Sequence, residues 1–240
     1  MGITEYLLSR RRRRAAYRAP QGGLKTYLTT PLPGSTTPLS ELPLLAVDLE
    51  TTGFDPRRHR ALSVGFVPVN GSRIALGEAG AMLLRPEPGS GPGEEGVGQS
   101  ATVHGITDDA VATGEPVAVV LDELFSALEG RILLAHYSRI ETDFLSAMCH
   151  ATFGLRPPLP VIDTLELQHR VVVGGPDNEF RSAPDPEELR LGAARQRYGL
   201  PRYRSHDALT DALACAELYL AQVSELAQRG VRNLRDLRTP

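Results

Sequence analysis

Residues 44–53 read LLAVDLETTG, and this stretch decides how the whole chain is interpreted. The apolar run 44–47 follows Pro43 and has the pattern of a buried strand. Asp48 and Glu50 follow it two positions apart, so in a strand both carboxylates point to one face, roughly 6.5–7 Å from each other. Such a pair on a buried strand is costly unless a cation compensates it, and its oxygens suit Mg²⁺ or Mn²⁺. The alternative is a solvent-facing strand end that carries two ordinary acids.

A second motif, SHDALTD at residues 205–211, lies about 160 residues further along the chain. Ser205 or Asp207 can cap the helix that follows, which leaves His206 just before the helix and Asp211 about one turn inside it. A histidine in this position can act as a general base on a water held by a metal at Asp211. The alternative is a capping loop with a solvated histidine.

The composition excludes several classes of protein. The chain has 240 residues, of which 41% are hydrophobic and 23% charged, as in ordinary globular proteins. Its two cysteines exclude a disulfide scaffold and a four-cysteine zinc site, and they suit a reducing compartment. No apolar run approaches 18 residues, and the five-arginine run follows a short apolar stretch instead of preceding one. We therefore expect a cytoplasmic protein without a signal peptide and without a membrane partner.

The charge is distributed unevenly along the chain. The first 40 residues carry seven Lys or Arg and a single acid, Glu5, although the whole chain has a net charge of −3. A basic segment beside an acidic body favours an anionic partner for the segment and cations for the body. The alternative for the segment is a solvated helix face.

The apolar periodicity predicts an alternation of strands and helices that suits a mixed sheet. A helix over 5–18 and a Pro/Gly-rich connector precede the first strand, and the dipeptide at 70–71, Asn-Gly, predicts a hairpin turn. The remaining expectations are strands over 61–69, 74–84, 131–135 and 161–163, helices over 116–128, 137–150, 186–198 and 207–228, and loops over 86–98 and 174–186.

Taken together, the two acidic motifs resemble the DEDDh family of 3′–5′ exonucleases, which includes the proofreading subunit of bacterial DNA polymerase III, RNase T and oligoribonuclease. The match extends over 46–53 and 62–65, and continues with His-Gly-Ile-Thr at 104–107 and Asp-Thr at 163–164, in the family's order. The resemblance covers roughly residues 43–225. It implies an α/β, ribonuclease H-like fold with a mixed central β-sheet flanked by helices, here with an Arg-rich N-terminal helical extension.

The middle motif of the family is altered in this chain. The usual Asn is Tyr137, and Glu141 stands in register with the third acid, while Asp143 is a rival two residues on. At about 100° per residue, Glu141 falls inside the apolar stripe of the helix, whereas Asp143 points away. Since the apolar stripe faces the sheet, we expect Glu141 to serve as the third acid. Its extra methylene puts the rate and the metal preference in doubt more than the reaction.

The resemblance implies a two-metal hydrolysis that needs two Mg²⁺ or Mn²⁺ ions per active site. Asp48 would bridge the two cations, Glu50 and Asp211 would complete the sites, and Glu141 would hold a metal directly or through water. His206 would take the proton from the attacking water. The catalytic set is therefore expected to be these five residues.

The resemblance also suggests how the substrate is held. Leu49, Thr51, Thr52 and His104 would line the pocket for the terminal nucleotide, although His104 can equally serve only to stabilise the turn at Gly105. The arginines at 10–14, 57, 58 and 60 are candidates for contacts to the phosphate backbone. The expected substrate is a 3′ end of single-stranded DNA, as in proofreading or repair.

Three alternatives stay open on the sequence alone. The same chemistry suits RNA or short oligonucleotides, and the 2′-hydroxyl contacts that would discriminate them cannot be read from a sequence. A weakly active or inactive module that binds nucleic acid or protein is a further reading, with Glu141 as the sign of decay. The N-terminal segment could also dock to a polymerase or to another protein. The expected domains are a basic N-terminal arm with connector over 1–42, the exonuclease domain over 43–228 and a C-terminal tail over 229–240.

Overall fold

The decisive stretch forms the central strand of a seven-stranded sheet. The computed structural model describes residues 3–85, 96–174, 184–204 and 206–238. Within these residues the strands are β1 (Pro43–Thr51), β2 (Ala61–Asn70), β3 (Arg73–Ile74), β4 (Gly80–Arg85), β5 (Glu115–Pro116), β6 (Ile132–Ala135) and β7 (Val161–Asp163). The helices are α1 (Ile3–Arg18), α2 (Gly23–Thr29), α3 (Ala101–His104), α4 (Asp108–Ala112), α5 (Val117–Ala127), α6 (Arg139–Phe153), α7 (Thr164–Val173), α8 (Leu191–Arg197), α9 (Ala208–Gln228) and α10 (Leu234–Arg238).

The sheet is mixed, as the strand and helix order predicts. Its strands lie in the order β5-β4-β2-β1-β6-β7, with β3 paired to β2. Strand β1 pairs antiparallel with β2 and parallel with β6, and β6 pairs parallel with β7. The carboxyl ends of β1, β6 and β7 therefore meet at one edge of the sheet, which is where α/β proteins usually carry their sites.

Alternation along β1 divides the core into two layers, because successive side chains of a strand point to opposite faces. Leu45, Val47 and Leu49 join α2, α5 and α6 in one buried cluster. Leu44 and Ala46 join α7, α9 and α10 in the other. Asp48 and Glu50 continue the series of Leu44 and Ala46, so they belong to the sheet face that α9 covers.

The predicted helices and strands are largely confirmed, and the hairpin at 70–71 joins β2 to β3 with Gly71 at φ 60°. The connector expected before β1 is wrong over 23–29, which form α2. Its apolar residues Leu24, Tyr27 and Leu28 share one helix face and are buried. The proline and glycine residues on either side of this helix conceal its short periodic pattern.

Three further differences lie in the second half of the chain. The single helix expected over 186–198 is broken at Arg190, whose ψ of 147° separates a 3₁₀ turn, Pro186–Leu189, from α8. Helix α7 was not predicted, and the expected tail contains α10, whose Leu234 and Leu237 are buried in the α9 layer. The loops expected over 86–98 and 174–186 fall mostly outside the described residues. Among those that are described, no helix has the length and apolar character needed to cross a membrane.

Candidate active site

The start of α9 lies against the carboxylates of β1. Asp207 caps this helix, since its Oδ1 accepts the backbone N–H of Thr210 at 2.8 Å. His206 adopts φ 71°, which bends the chain so that its own backbone N–H donates to Asp211 Oδ2 at 2.7 Å. Of the two predicted capping residues the structure assigns this role to Asp207, because Ser205 lies outside the described residues.

Gly65 allows this approach. It pairs with Asp48 across β1 and β2. A Cβ built on Gly65 would lie 2.2 Å from Ala208 C and Leu209 N, which is far inside van der Waals contact. The backbone of α9 therefore reaches the sheet only because this position has no side chain.

We expect Gly65→Ala to displace the start of α9 and to disturb the site as well as the fold. Overpacking of this kind costs about 1–3 kcal/mol. Thermal unfolding should show a lower melting temperature, and divalent-metal binding, measured by calorimetry, should weaken. Gly77→Ala is the matched control, because a Cβ at Gly77 meets nothing within 4 Å. Equal melting temperatures and metal affinities for the two variants would contradict this account of Gly65.

Three of the predicted site residues come together closely. Glu50, His206 and Asp211 offer ligand atoms that all lie within 4.8 Å of one another. Glu50 is buried, Asp211 is half-buried and His206 is exposed. The group thus joins the sheet to the start of α9 and opens to solvent on the histidine side.

Glu141 enters from the opposite side, in the first turn of α6. Only 2% of this residue is exposed, and its Oε2 has no hydrogen-bond partner within the described residues. Asp143 instead points to solvent and pairs with Arg139 at 3.5 Å. The burial of Glu141 among Phe144 and Leu145 is the placement that the helix periodicity predicted.

Asp163 holds the turn that leads into α6. Its carboxylate accepts the backbone N–H groups of Tyr137 at 2.9 Å, Ser138 at 2.7 Å and Leu165 at 2.9 Å. Tyr137 replaces the family's usual Asn and adopts φ 62°, a conformation uncommon for residues other than glycine. Asp163 thereby fixes the start of α6, and with it the position of Glu141.

The acids perturb one another strongly. Burial, followed by the charges of Glu141, Asp211 and Glu50, raises the pKa of Asp48 well above its usual range. Burial is also the main cause that raises the pKa of Glu50 to about 7 and that of Glu141 to about 8. The pKa of Asp211 is raised by burial as well, although the N–H of His206 opposes the shift.

This arrangement fits a divalent cation. Partly buried carboxylates that lack compensating positive charge repel one another, and hard oxygen donors are the ligands that Mg²⁺ and Mn²⁺ take. The unpartnered Oε2 of Glu141 adds a buried acceptor that needs a proton or a cation. Asp48 stands outside the group of three but feels the charges of Glu141, Asp211 and Glu50, which places it among them.

A cavity of about 200 Å³ adjoins the carboxylates. Its lining includes Glu50 and His206 together with His104 and Ile106, which belong to the matched His-Gly-Ile-Thr segment. His104 accepts the N–H of Ile106 at 3.0 Å, and its pKa is lowered by burial and by nearby His206. His104 thus stabilises its turn and also faces the site, so the two readings of this residue are compatible.

The other predicted substrate contacts lie differently. The Leu49 side chain is 6% exposed and belongs to the core layer away from Asp48. Thr51 Oγ1 donates to Gly53 O at 2.8 Å, and Thr52 Oγ1 accepts the N–H of Arg60 at 3.1 Å. These two threonines hold the loop after β1, and their contact with substrate stays a prediction.

Sequence reasoning missed two charged residues that shape the site. The charge of Asp207 raises the pKa values of Asp48 and Glu50, a role beyond helix capping. Arg195 is buried beneath the start of α9, where it pairs with Glu217 at 2.8 Å and donates to Ala214 O and to Pro201 O. A lone arginine in a helical segment carries no sequence signal for such burial.

Comparison with known proteins places this chain among nucleases. The family model RNase_T, described as an exonuclease, matches residues 45–219. A DNA polymerase III subunit epsilon-like protein of Rhodobacter capsulatus is 32% identical over 197 residues, which cover 81% of this chain and 26% of that protein. A PolC-type DNA polymerase III of Thermotoga maritima is 27% identical over 193 residues, which cover 80% of this chain and 13% of that protein. This chain thus spans about a quarter or less of the length of either relative.

A solved structure shares the fold. The zinc-ion-bound form of an Escherichia coli ExoI–ssDNA complex aligns with a TM-score of 0.62 and 18% identity, over 82% of this chain and 42% of that chain. The mixed sheet with helices on both faces is therefore a ribonuclease H-like arrangement, as the sequence motifs predict.

Proposed function

The chain belongs to the exonuclease family whose model spans residues 45–219, and on that premise we propose that it is a divalent-metal-dependent 3′–5′ exonuclease acting on single-stranded DNA ends. The observation that carries this proposal is the convergence of Glu50 with His206 and Asp211, although the two motifs lie about 160 residues apart in the sequence. Asp48 and Glu141 complete the acidic cluster.

Asp48, Glu50, Glu141 and Asp211 would hold the divalent cations. When bound, such cations activate the attacking water and stabilise the leaving 3′-oxygen of a phosphodiester. The elevated pKa values of these carboxylates support the assignment, since the cluster favours any added positive charge, whether protons or metal.

His206 would accept the proton of the attacking water at a ring nitrogen. Its exposure at the mouth of the site lets substrate and water reach it, and its backbone hydrogen bond to Asp211 holds the residue beside the carboxylates. A histidine is suited to this task because its ordinary pKa lies near neutral pH. Asp207 fixes the following helix and so keeps His206 and Asp211 in register.

The cavity beside His104 and Ile106 supports binding of a terminal nucleotide. A strand end can enter such a cavity only if it is unpaired, which favours single-stranded substrates. The ExoI complex contains ssDNA, and we extend that preference to this chain. RNA is the competing substrate class, and a polymerase partner stays a prediction that rests on the names of the relatives.

The direct test is hydrolysis of a 5′-labelled single-stranded DNA and of its RNA counterpart, each with Mg²⁺, Mn²⁺ or EDTA. We expect a metal-dependent ladder that shortens from the 3′ end, with DNA cleaved faster than RNA. Faster cleavage of RNA would replace DNA as the substrate class. Absence of any ladder with either metal would overturn the enzymatic proposal and leave a module that binds without cleaving.

Glu141 is expected to matter even though it replaces the usual Asp. Glu141→Gln should lower the turnover rate by about 10–100-fold, the usual cost of losing a supporting group at a metal site. Single-turnover assays across Mg²⁺ and Mn²⁺ concentrations would measure both the rate and the metal affinity. Asp143→Asn is the matched control, because Asp143 is exposed and paired with Arg139. If Asp143→Asn were the more damaging change, the assignment of the third acid would have to move to Asp143.

A further inference from the structure

The arginine run at 10–14 forms an exposed positive surface on α1. Arg10, Arg11, Arg13 and Arg14 are exposed, and Arg18 continues the same helix one turn beyond. We call these five residues the α1 arginine surface. Tyr17 lies among them with 90% of its surface exposed.

Arg12, in the middle of the run, points the other way and anchors the helix. It is 5% exposed, donates to Tyr27 O and to Thr30 O, and stacks over the Tyr27 ring at 4.4 Å. Tyr27 is buried in the core and donates to Pro158 O at 2.9 Å. Helix α1 is therefore fixed to the domain, and the α1 arginine surface is held rigidly.

The charges of this surface are not neutralised by the protein. Among the described residues, no carboxylate lies within ion-pair distance of Arg10, Arg11, Arg13 or Arg14, whereas Arg57, Arg139 and Arg190 each have one. The acid of the helix, Glu5, accepts the N–H of Ser35 instead. Positive charges three and four residues apart repel one another along a helix, and an anion would relieve that repulsion.

The α1 arginine surface lies at the end of the domain opposite the acidic cluster. Arg18 donates to Gly154 O at 3.0 Å, just beyond the end of α6, while Glu141 lies in the first turn of the same helix. The intervening helix spans roughly 20 Å at 1.5 Å per residue. The surface is thus too far away to contact a terminal nucleotide at the site.

Two clefts give the surface its shape. One, of about 700 Å³, lies between the arginines, Tyr17, Arg156 and Pro158. The other, of about 630 Å³, continues past Arg10 and Arg14 to Val161 and Arg238. The contribution of Arg156 and Arg238 extends the positive charge beyond α1 itself.

We propose that the α1 arginine surface binds the phosphate backbone of single-stranded nucleic acid upstream of the 3′ end under hydrolysis. This inference rests on the proposed function, which supplies the anionic ligand. Guanidinium groups match phosphate oxygens in pairs, and the exposed ring of Tyr17 offers a base a stacking surface. An acidic protein segment would use the charge but would not need an exposed aromatic ring among the arginines.

Binding is tested without catalysis, in EDTA, by fluorescence anisotropy of labelled oligodeoxythymidines of about 5 and about 30 nucleotides. Arg10→Gln with Arg14→Gln removes two charges from the surface. Arg73→Gln with Arg190→Gln removes the same charge from exposed positions elsewhere. For the long oligonucleotide we expect the α1 variant to bind several-fold more weakly, with a salt-dependence slope reduced by about 2. The control should bind as the unaltered protein does.

The length dependence identifies the place of the contact. The short oligonucleotide should bind equally well to both variants and to the unaltered protein, since it cannot reach from the site to α1. Equal binding of the long oligonucleotide by the α1 variant and the control would overturn the proposal. Overturning also follows if polyglutamate or anionic lipid vesicles bind through these arginines while the affinity for the long oligonucleotide is unaffected.

The outcome is separable from that of the proposed function. Failure of hydrolysis with normal α1-dependent binding would remove the enzymatic proposal and keep the surface. Normal hydrolysis of the short substrate with no α1 effect on the long one would do the reverse. Circular dichroism and thermal unfolding verify that the Gln variants fold, which we expect because Gln is a good helix former and the changes relieve repulsion.

Discussion

Replacing Asp48 with Asn will lower the turnover rate by about a thousandfold or more while the protein stays folded. Asp48 is the acid whose pKa responds to Glu141, Asp211 and Glu50 together, so it lies where the charges of the cluster converge. An amide of the same shape cannot supply the negative charge that holds cations at that point. Single-turnover hydrolysis of a 5′-labelled oligonucleotide measures the loss.

The same variant should be more stable than the unaltered protein when metal is absent. Removing the central charge relieves the repulsion among the remaining carboxylates, so the melting temperature in EDTA should rise. Asp143→Asn, which alters an exposed carboxylate of α6, should change neither the rate nor the melting temperature. Retention of a tenth or more of the activity by Asp48→Asn would remove Asp48 from the catalytic set.

In EDTA, the free energy of unfolding should fall as the pH rises from about 5 to about 8. The pKa of Glu50 in the folded chain, about 7, and that of Glu141, about 8, lie above the ordinary value of 4.5. Between the two values the folded chain binds more protons than the unfolded chain, so raising the pH favours unfolding. The shift of Glu50 alone corresponds to about 3 kcal/mol.

Divalent metal should restore this lost stability, and most strongly at the upper end of the range. Bound cations replace the protons that the carboxylates give up, and a ligand that binds only the folded chain stabilises it. Melting temperatures at several pH values, with EDTA and with Mg²⁺ or Mn²⁺, measure both effects. Glu50→Gln should flatten the slope in EDTA. A melting temperature in EDTA that is constant or rises over this range would contradict the burial of charged carboxylates at this site.

Much of the fold followed from local patterns. The apolar run before Asp48 predicted β1, the Asn-Gly pair predicted the hairpin at Gly71, and the stripe of Phe144 and Leu145 predicted both α6 and the burial of Glu141. These patterns are readable because a strand or helix repeats its buried positions at a fixed period. Where glycine and proline interrupt the period, as around Tyr27, the helix was missed.

The parts of the site that escaped prediction depend on contacts between distant segments. Asp163 fixes the turn before α6 through Tyr137 and Ser138, which precede it by some 25 residues. Arg195 supports the start of α9 through Ala214 and Glu217. No periodicity marks such residues, because the partners that give them their role are brought near only when the sheet and helices have packed.

The sequence by itself determined the chemistry available to this protein: paired acids on a strand, a histidine and an acid around a helix start, and a family resemblance carried by their order. The tertiary structure alone decided which groups meet. The missing side chain at Gly65 lets α9 bring His206 and Asp211 to Glu50, and burial at this junction raises the pKa values of the carboxylates. It also turned Arg12 inward and its neighbours outward. Residue types and spacing are local properties, whereas proximity and desolvation exist only in the packed chain.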